Sequence, residues 1–490
     1  MPSEGSPGGE AALTASDVRH RATSGAALLV GRGVAIRALG FVGTIVLARL
    51  LVPADFGAVA IGSAIVVFIN LISDGGLGAA LIRGDHAPSP RVFEELLGLQ
   101  LTIAVAIAII VSAAAPLFGR PGWVAAIMTA SVCAAVFGTA STIHLERNLM
   151  FRRLATIDVL SSVSYMAWAI PAAALGTGVW ALASASVVQV LVSTGLRLRS
   201  SSLRVLRPRL GLGAIAPLLP FGTRFQAINA VNLVRDQGLN VGIAAVAGIG
   251  TLGVWSLAYR FIQVPFLLFE SLWRVTFPGM ARLIEAGGDA RQAAEQVLTT
   301  SSVATAAIMC ALVGSTPALI PAVFDPKWHG IVDILPWACG GLLAGGPISV
   351  AVAGFLFAQG DASTVLRGAV LHTAAALLVG LTLLPVLGVT ALGLSTFASA
   401  IVEGGVLGTR AIRTYQIRIF RPVLVPTLAS LPAGAIGWLV AEHVGPLALG
   451  AVAGATAGLA CLVALQATLD RAALLSTLSM VTRTLEAARG

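Results

Sequence analysis

Arginines set inside apolar segments are the residues of this chain best placed to do chemistry. The segment FGTRFQAINAVNLVRDQGLNVGIAAVA carries Arg224 and Arg235, only about 20° apart around a helix axis, with Asn232 on the same broad face. Further on, Ser256, Tyr259, Arg260, Gln263, Glu270 and Arg274 fall within one arc of about 100° on a helix otherwise made of Leu, Val, Phe, Ile, Ala and Trp. A stripe that polar cannot face lipid, so it faces another helix or a water-filled cavity. Arg32 and Arg37 stand in the first apolar segment about 140° apart, so they need not serve together. Arg32 either lines a cavity or snorkels toward the surface. Guanidinium forks match phosphate oxygens, and low-dielectric walls strengthen that attraction. The pattern therefore points to recognition of an anionic headgroup such as a pyrophosphate. Three acids lie among these groups: Asp74, Asp236 and Glu270. They either pair with arginines or bind a coupling cation. Asp74 shares one face with Ser63, Asn70 and Ser73, an arc of about 100°.

Other chemistry is thin. The stretch Gly76-Leu77-Gly78-Ala79-Ala80-Leu81 lacks the third glycine and follows no strand, so it is no dinucleotide fingerprint. The six histidines are scattered, no D-x-D or G-x-S-x-G occurs, and no pair of cysteines has metal-ligand spacing. No cofactor or metal is expected. Cys133, Cys310, Cys339 and Cys461 all lie in apolar spans and read as packing residues.

The elements that must hold these groups follow from composition. Hydrophobic residues make up 57% of the 490, charged residues 11%, and mean hydropathy is +0.91. Soluble domains carry roughly 25% charged residues. Apolar runs of about 20 residues follow one another nearly end to end, the signature of transmembrane helices. Fourteen spans are expected, near 24–48, 55–81, 94–118, 122–143, 157–176, 178–198, 215–247, 252–278, 297–322, 331–358, 364–386, 388–409, 422–442 and 445–469. The fold class is an all-α integral membrane protein.

The net charge of +9 is a topology device rather than a nucleic-acid footprint. Twenty-three arginines fall on one side of the expected spans, against Arg49, Arg120 and Lys327 on the other. The positive-inside rule puts both termini in the cytoplasm, and the same charge attracts anionic lipids. The first twenty residues are polar, so no cleavable signal peptide is expected. The outer loops, FGRPGW, GTGVW and EHVGP among them, are too short for an extracytoplasmic domain.

A basic stretch, RLRSSSLRVLRPRLGLG, follows the sixth span and reads as a linker between two six-helix lobes in parallel repeat. The division is a cytoplasmic tail 1–23, an N-lobe 24–198, a basic linker 199–214, a C-lobe 215–409, two further helices in 410–469, and a cytoplasmic tail 470–490. An offset of 196 residues aligns the second helix of each lobe, pairing Gly57 with Gly253 and Asp74 with Glu270.

The segments LARLLVPADFGAVAI, SDGGLGAALIR, LERNLMFRRLATIDVLSS, GVWALASAS, GTLGVWSLAYRFIQVP, RVTFPGMARL and DPKW, in that order, resemble the bacterial polysaccharide-export flippases. These are the Wzx-like branch of the multidrug/oligosaccharidyl-lipid/polysaccharide exporter superfamily. The last third of the chain shares only hydropathy and length with them. The resemblance implies two six-helix lobes around a central cavity plus two C-terminal helices, in the bacterial cytoplasmic membrane. It implies an undecaprenyl-pyrophosphate-linked oligosaccharide as substrate, carried to the outer leaflet by alternating access. Arginines of the first, seventh and eighth helices would engage the pyrophosphate. Partners are then the lipid-linked substrate, membrane lipids, and the polymerase and glycosyltransferases of the same pathway. No nucleic acid is among them.

Three rivals remain in view. A flippase of the peptidoglycan lipid precursor shares the anionic headgroup. A cation-coupled drug or metabolite antiporter predicts a smaller, acidic or apolar cavity. A membrane-embedded glycan polymerase or ligase would be an enzyme with a large outer loop and catalytic acids, which this sequence lacks.

Overall fold

The computed structural model describes residues 36, 39–83, 88–201, 207–264, 266, 269, 272, 279–280, 282–477 and 479, and all its regular elements are helical. In chain order they are α1 (Leu39–Leu50), α2 (Pro53–Asp74), α3 (Leu77–Arg83), α4 (Pro90–Phe118), α5 (Arg120–Val136), α6 (Thr139–Arg147), α7 (Phe151–Ala174), α8 (Val179–Ser200), α9 (Leu219–Ile262), α10 (Ala290–Val323), α11 (Gly330–Ala358), α12 (Ala362–Leu387), α13 (Thr390–Tyr415), α14 (Phe420–His443) and α15 (Leu447–Leu469). Among the described residues, eleven helices are long and apolar enough to cross a membrane. The count is twelve if α5 and α6, bent by 51°, form one span. Of the fourteen expected spans, the first is described, apart from Ile36, only from Leu39 on. The seventh and eighth run together as α9, across Gly248 with φ 83° and ψ 171°.

Local chemistry sets the boundaries. Pro53 opens α2, and the Val52 N–H donates to Asp55 Oδ2 at 3.2 Å, the acid-at-N3 half of a capping box. Asp289 and Asp361 cap α10 and α12 by accepting from the N–H groups of Gln292 and Thr364. The second span stops short of its expected end at 81. Gly75 and Gly76 adopt φ of 52° and 75°, which breaks the helix. Asp74 then accepts backbone N–H groups of Gly76 (3.1 Å) and Gly78 (3.2 Å) at the start of α3. A side chain at Gly76 would also strike the backbone of Gly222, in the first turn of α9.

The chain divides into two compact units, residues 1–47 with 65–229, and residues 48–64 with 230–490. In the first unit, α4 packs on α5, α7 on α8, and α5 on α8. Leu77, Leu81, Phe93, Leu96, Ile143 and Ile215 form one buried cluster. Glu95 is 1% exposed; it accepts Arg91 Nε at 3.0 Å and the backbone N–H of Ala214 at 2.6 Å. The Arg209 N–H donates to Glu94 O at 3.0 Å. The described end of the basic linker is thus held against α4 rather than hanging free.

In the second unit the centre is α11, apolar all round and mostly buried, as such a helix must be. Helices α14 and α15 pack on α10 and on each other, with Gly314, Gly437 and Gly454 in backbone-to-backbone approach. The DPKW segment acts as a knot. Trp328 is 0% exposed, its Nε1 donates to Ala48 O at 2.9 Å, and its ring stands edge-on to Phe56 at 5.2 Å. Arg49 caps the end of α10 by donating to Val323 O (2.8 Å) and Ala322 O (2.9 Å). Beside the knot, a Cβ on Gly57 would strike Ile249 O, and a Cβ on Gly253 would strike Pro53 O. Those two contacts exchange under the same 196-residue offset that aligns the two second helices.

Candidate functional site

The second unit encloses a cavity of about 520 Å³. Arg235, Asp236 and Asn240 reach it from α9 before Gly248, while Trp255, Tyr259 and Gln263 reach it from the chain after Gly248. A straight helix would hold residues 235 and 259 about 36 Å apart at 1.5 Å per residue. Sharing one cavity requires the chain to turn back at Gly248, and only glycine takes that positive φ without strain. The opposite wall is α11 at Gly345, Gly346 and Ser349, with His372 from α12 and Ser395, Ser399 and Glu403 from α13.

One ion pair and one histidine–carboxylate contact dominate the lining. Arg235 Nε lies 2.7 Å from Asp236 Oδ1, with side chains 34% and 40% exposed. His372 Nδ1 lies 2.9 Å from Glu403 Oε2. Asn240 Nδ2 donates to Gln237 Oε1 at 3.1 Å, and Ser395 Oγ donates to Ala376 O at 2.7 Å. The rings of Trp255 and Tyr259 lie 5.5 Å apart. One arginine and one histidine thus face two carboxylates. Among the described residues, the charged or titratable groups lining this cavity are Arg235, Asp236, His372 and Glu403. Two carboxylates set in largely apolar walls make the arrangement able to admit a small cation.

The expected site residues separate. Arg235, Asp236, Tyr259 and Gln263 come together in this cavity. Asp236, the next residue along α9, is the ion-pair partner of Arg235 although the two positions stand about 100° apart around the axis. Arg260 is exposed and does not line the cavity. The cavity face of that helix is centred near Tyr259, at one edge of the expected stripe, and Arg260 stands about 100° further round. Asp74 spends both carboxylate oxygens on backbone N–H groups. Arg224 and Asn232 lie on the backbone of α9. Their side chains, with Arg32, Arg37 and Glu270, lie outside the described residues. Among the described residues, no cluster of three His, Cys, Asp or Glu is placed to hold a metal ion.

Sequence reasoning missed His372 and Glu403, which the wettest helices overshadowed. A signal was available. The two residues lie sixteen before and fifteen after Gly388, at the turn between α12 and α13, and residues equidistant from an antiparallel helical hairpin's turn sit level.

Comparison with known proteins agrees with this architecture. Residues 46–333 match the family described as polysaccharide biosynthesis protein. The chain is 25% identical over 333 residues to the lipopolysaccharide biosynthesis protein WzxC of Escherichia coli (strain K12), covering 66% of this chain and 67% of that one. It is 27% identical over 320 residues to the succinoglycan biosynthesis transport protein ExoT of Rhizobium meliloti (strain 1021), covering 62% of each. The match thus spans about two thirds of these relatives' lengths. Among solved structures, the lipid II flippase MurJ in an inward closed conformation is similar at a TM-score of 0.71. That likeness covers 90% of this chain and 98% of MurJ at 14% identity. An inward-facing multidrug resistance transporter of the MATE family follows at 0.58, with 78% and 95% covered at 13% identity. At such identities these likenesses speak to fold alone. The Rhizobium relative is described as a transport protein, and the multi-pass helical chain carrying this cavity belongs to the polysaccharide biosynthesis protein family.

Proposed function

We propose that the chain is a flippase, which moves an undecaprenyl-pyrophosphate-linked oligosaccharide repeat unit from the cytoplasmic to the outer leaflet. The product would feed assembly of an exopolysaccharide, capsule or O-antigen. The observation carrying this reading is the family match over residues 46–333, which takes in Arg224, Arg235, Arg260 and the cavity's first wall. A relative described as a succinoglycan transport protein supports the direction of the inference, from sugar polymer assembly to transport. Both termini are cytoplasmic in this reading, and fourteen spans form two lobes plus two helices.

The mechanism is alternating access, with lobes rocking about a midplane site. The reciprocal contacts of Gly57 and Gly253 support a repeat relation between the two second helices. Arg260, with Arg224, Asn232, Arg32 and Arg37, engages the pyrophosphate. The cavity holding Arg235, Asp236, His372 and Glu403 serves energy coupling. A proton or small cation entering there changes the local charge and favours one packing of α9 against α11–α13 over another.

The test is genetic and chemical together. A deletion strain should accumulate the lipid-linked intermediate, and mass spectrometry of extracted lipids would identify its sugar. Wild-type protein should clear it, while Arg260→Ala, inserted at normal levels, should not. Export at the wild-type level by Arg260→Ala would sink the headgroup role of that side chain.

A further inference from the structure

The two units carry the same unassigned feature at matching helices. In the first, the start of α7 and the end of α8 frame a notch of about 450 Å³ lined by Arg152, Arg153 and Arg199. In the second, the start of α12 and the end of α13 frame one of about 630 Å³ lined by Arg367, Arg410 and Arg413. These helices are the expected fifth and sixth spans, then the eleventh and twelfth, so each expected lobe repeats the notch. Both lie at helix ends expected to face the cytoplasm.

Some of these arginines are tied. Arg410 Nε lies 2.7 Å from Asp361 Oδ2 and its Nη1 donates to Thr414 Oγ1 at 3.0 Å. Arg153 Nη1 donates to Ser200 O at 3.2 Å. Others are not. Among the described residues, no acid lies within ion-pair distance of Arg152, Arg199, Arg367 or Arg413. The notch walls turn apolar toward the span. Leu160, in the first notch, is 46% exposed, and Ile401, in the second, 43%. On a membrane-spanning helix such side chains meet lipid tails. Topology alone asks only for arginines somewhere in the cytoplasmic loops. It does not ask for three to converge on a recess whose walls carry exposed apolar side chains.

We propose that each notch binds the phosphate of an anionic phospholipid of the cytoplasmic leaflet. The guanidinium groups take the phosphate oxygens, and the acyl chains run down the apolar walls. Lipid held there would brace the cytoplasmic ends of α7–α8 and α12–α13.

The test uses the purified full-length chain in detergent, with bound lipid counted by native mass spectrometry. The probes are phosphatidylglycerol, phosphatidylethanolamine and inorganic pyrophosphate. Wild-type protein should retain up to two phosphatidylglycerol molecules in preference to phosphatidylethanolamine. The pairs Arg152→Gln with Arg199→Gln, and Arg367→Gln with Arg413→Gln, should each remove one molecule, weakening retention roughly 30-fold at about 1 kcal/mol per basic residue. Lysine at the same positions should restore part of it, and Arg471→Gln should change nothing. Equal retention of both lipids, or equal loss in Arg471→Gln, would overturn the proposal. Displacement of phosphatidylglycerol by pyrophosphate would also overturn it, assigning the notches to a polar phosphate ligand instead.

Discussion

Gly57 and Gly253 test the packing of α2 against the chain after Gly248 at its tightest point. At each, an added Cβ would meet a backbone carbonyl oxygen of the other segment, Ile249 O or Pro53 O. No rotamer change relieves a clash with backbone, so the two segments must move apart. Overpacking of this kind costs about 1–3 kcal/mol, against which Gly→Ala in a helix gains up to about 1 kcal/mol. The control is Gly250, where an added Cβ would have nothing within 4 Å and the substitution would bring the gain alone. Gly57→Ala and Gly253→Ala should therefore each lower stability by up to about 2 kcal/mol net, roughly a 30-fold change at 1.4 kcal/mol per decade. Gly250→Ala should be neutral or stabilising. Thermal inactivation of the purified protein in detergent, followed by its monodisperse fraction, reads the difference. If both Gly57→Ala and Gly253→Ala tracked Gly250→Ala, the close approach would not exist as described.

Trp328→Phe removes the Nε1 donor to Ala48 O and leaves a buried carbonyl unmatched, at about 1–3 kcal/mol; the same thermal assay should show it, and wild-type stability would refute the knot. Asp361 is held down to about 2 by Arg410 and by Thr364 and Ser363. Since its pKa is depressed on folding, its contribution is full above about pH 4, the unfolded carboxylate range, and fades as pH falls toward 2. Asp361→Asn should therefore flatten the acid limb of a stability–pH profile and leave the neutral region with a constant offset; an unchanged acid limb would contradict the pairing. Glu403→Gln removes the carboxylate 2.9 Å from His372 and one of the cavity's two acids. Export should then lose its response to imposed proton and sodium gradients, and a full response would remove the coupling role.

Much of the fold is legible in the sequence because lipid imposes one rule, long apolar helices, that hydropathy reads directly. The break between the seventh and eighth spans is expected near 247–252, and Gly248 carries it. The second span's expected end is misplaced because hydropathy runs on through Leu77–Leu81, whereas Gly75 and Gly76 break the helix with positive φ. Asp74 illustrates the limit. Its partners are the N–H groups of a helix start two to four residues away, which angular reasoning along one helix does not foresee. The cavity is half legible. Arg235, Tyr259 and Gln263 stand out as polar groups in apolar runs. His372 and Glu403 need the register of the α12–α13 hairpin, a tertiary fact that stripe analysis of single helices leaves out.

The central claim is transport of a pyrophosphate-linked lipid. Its most direct test is the purified chain reconstituted in vesicles, with a labelled undecaprenyl-pyrophosphate oligosaccharide followed from one leaflet to the other. Protein-dependent flipping is expected, lost in Arg260→Ala and not matched by the corresponding monophosphate lipid. Movement no faster than in empty vesicles, with the wild-type protein folded and gradients imposed, would contradict it.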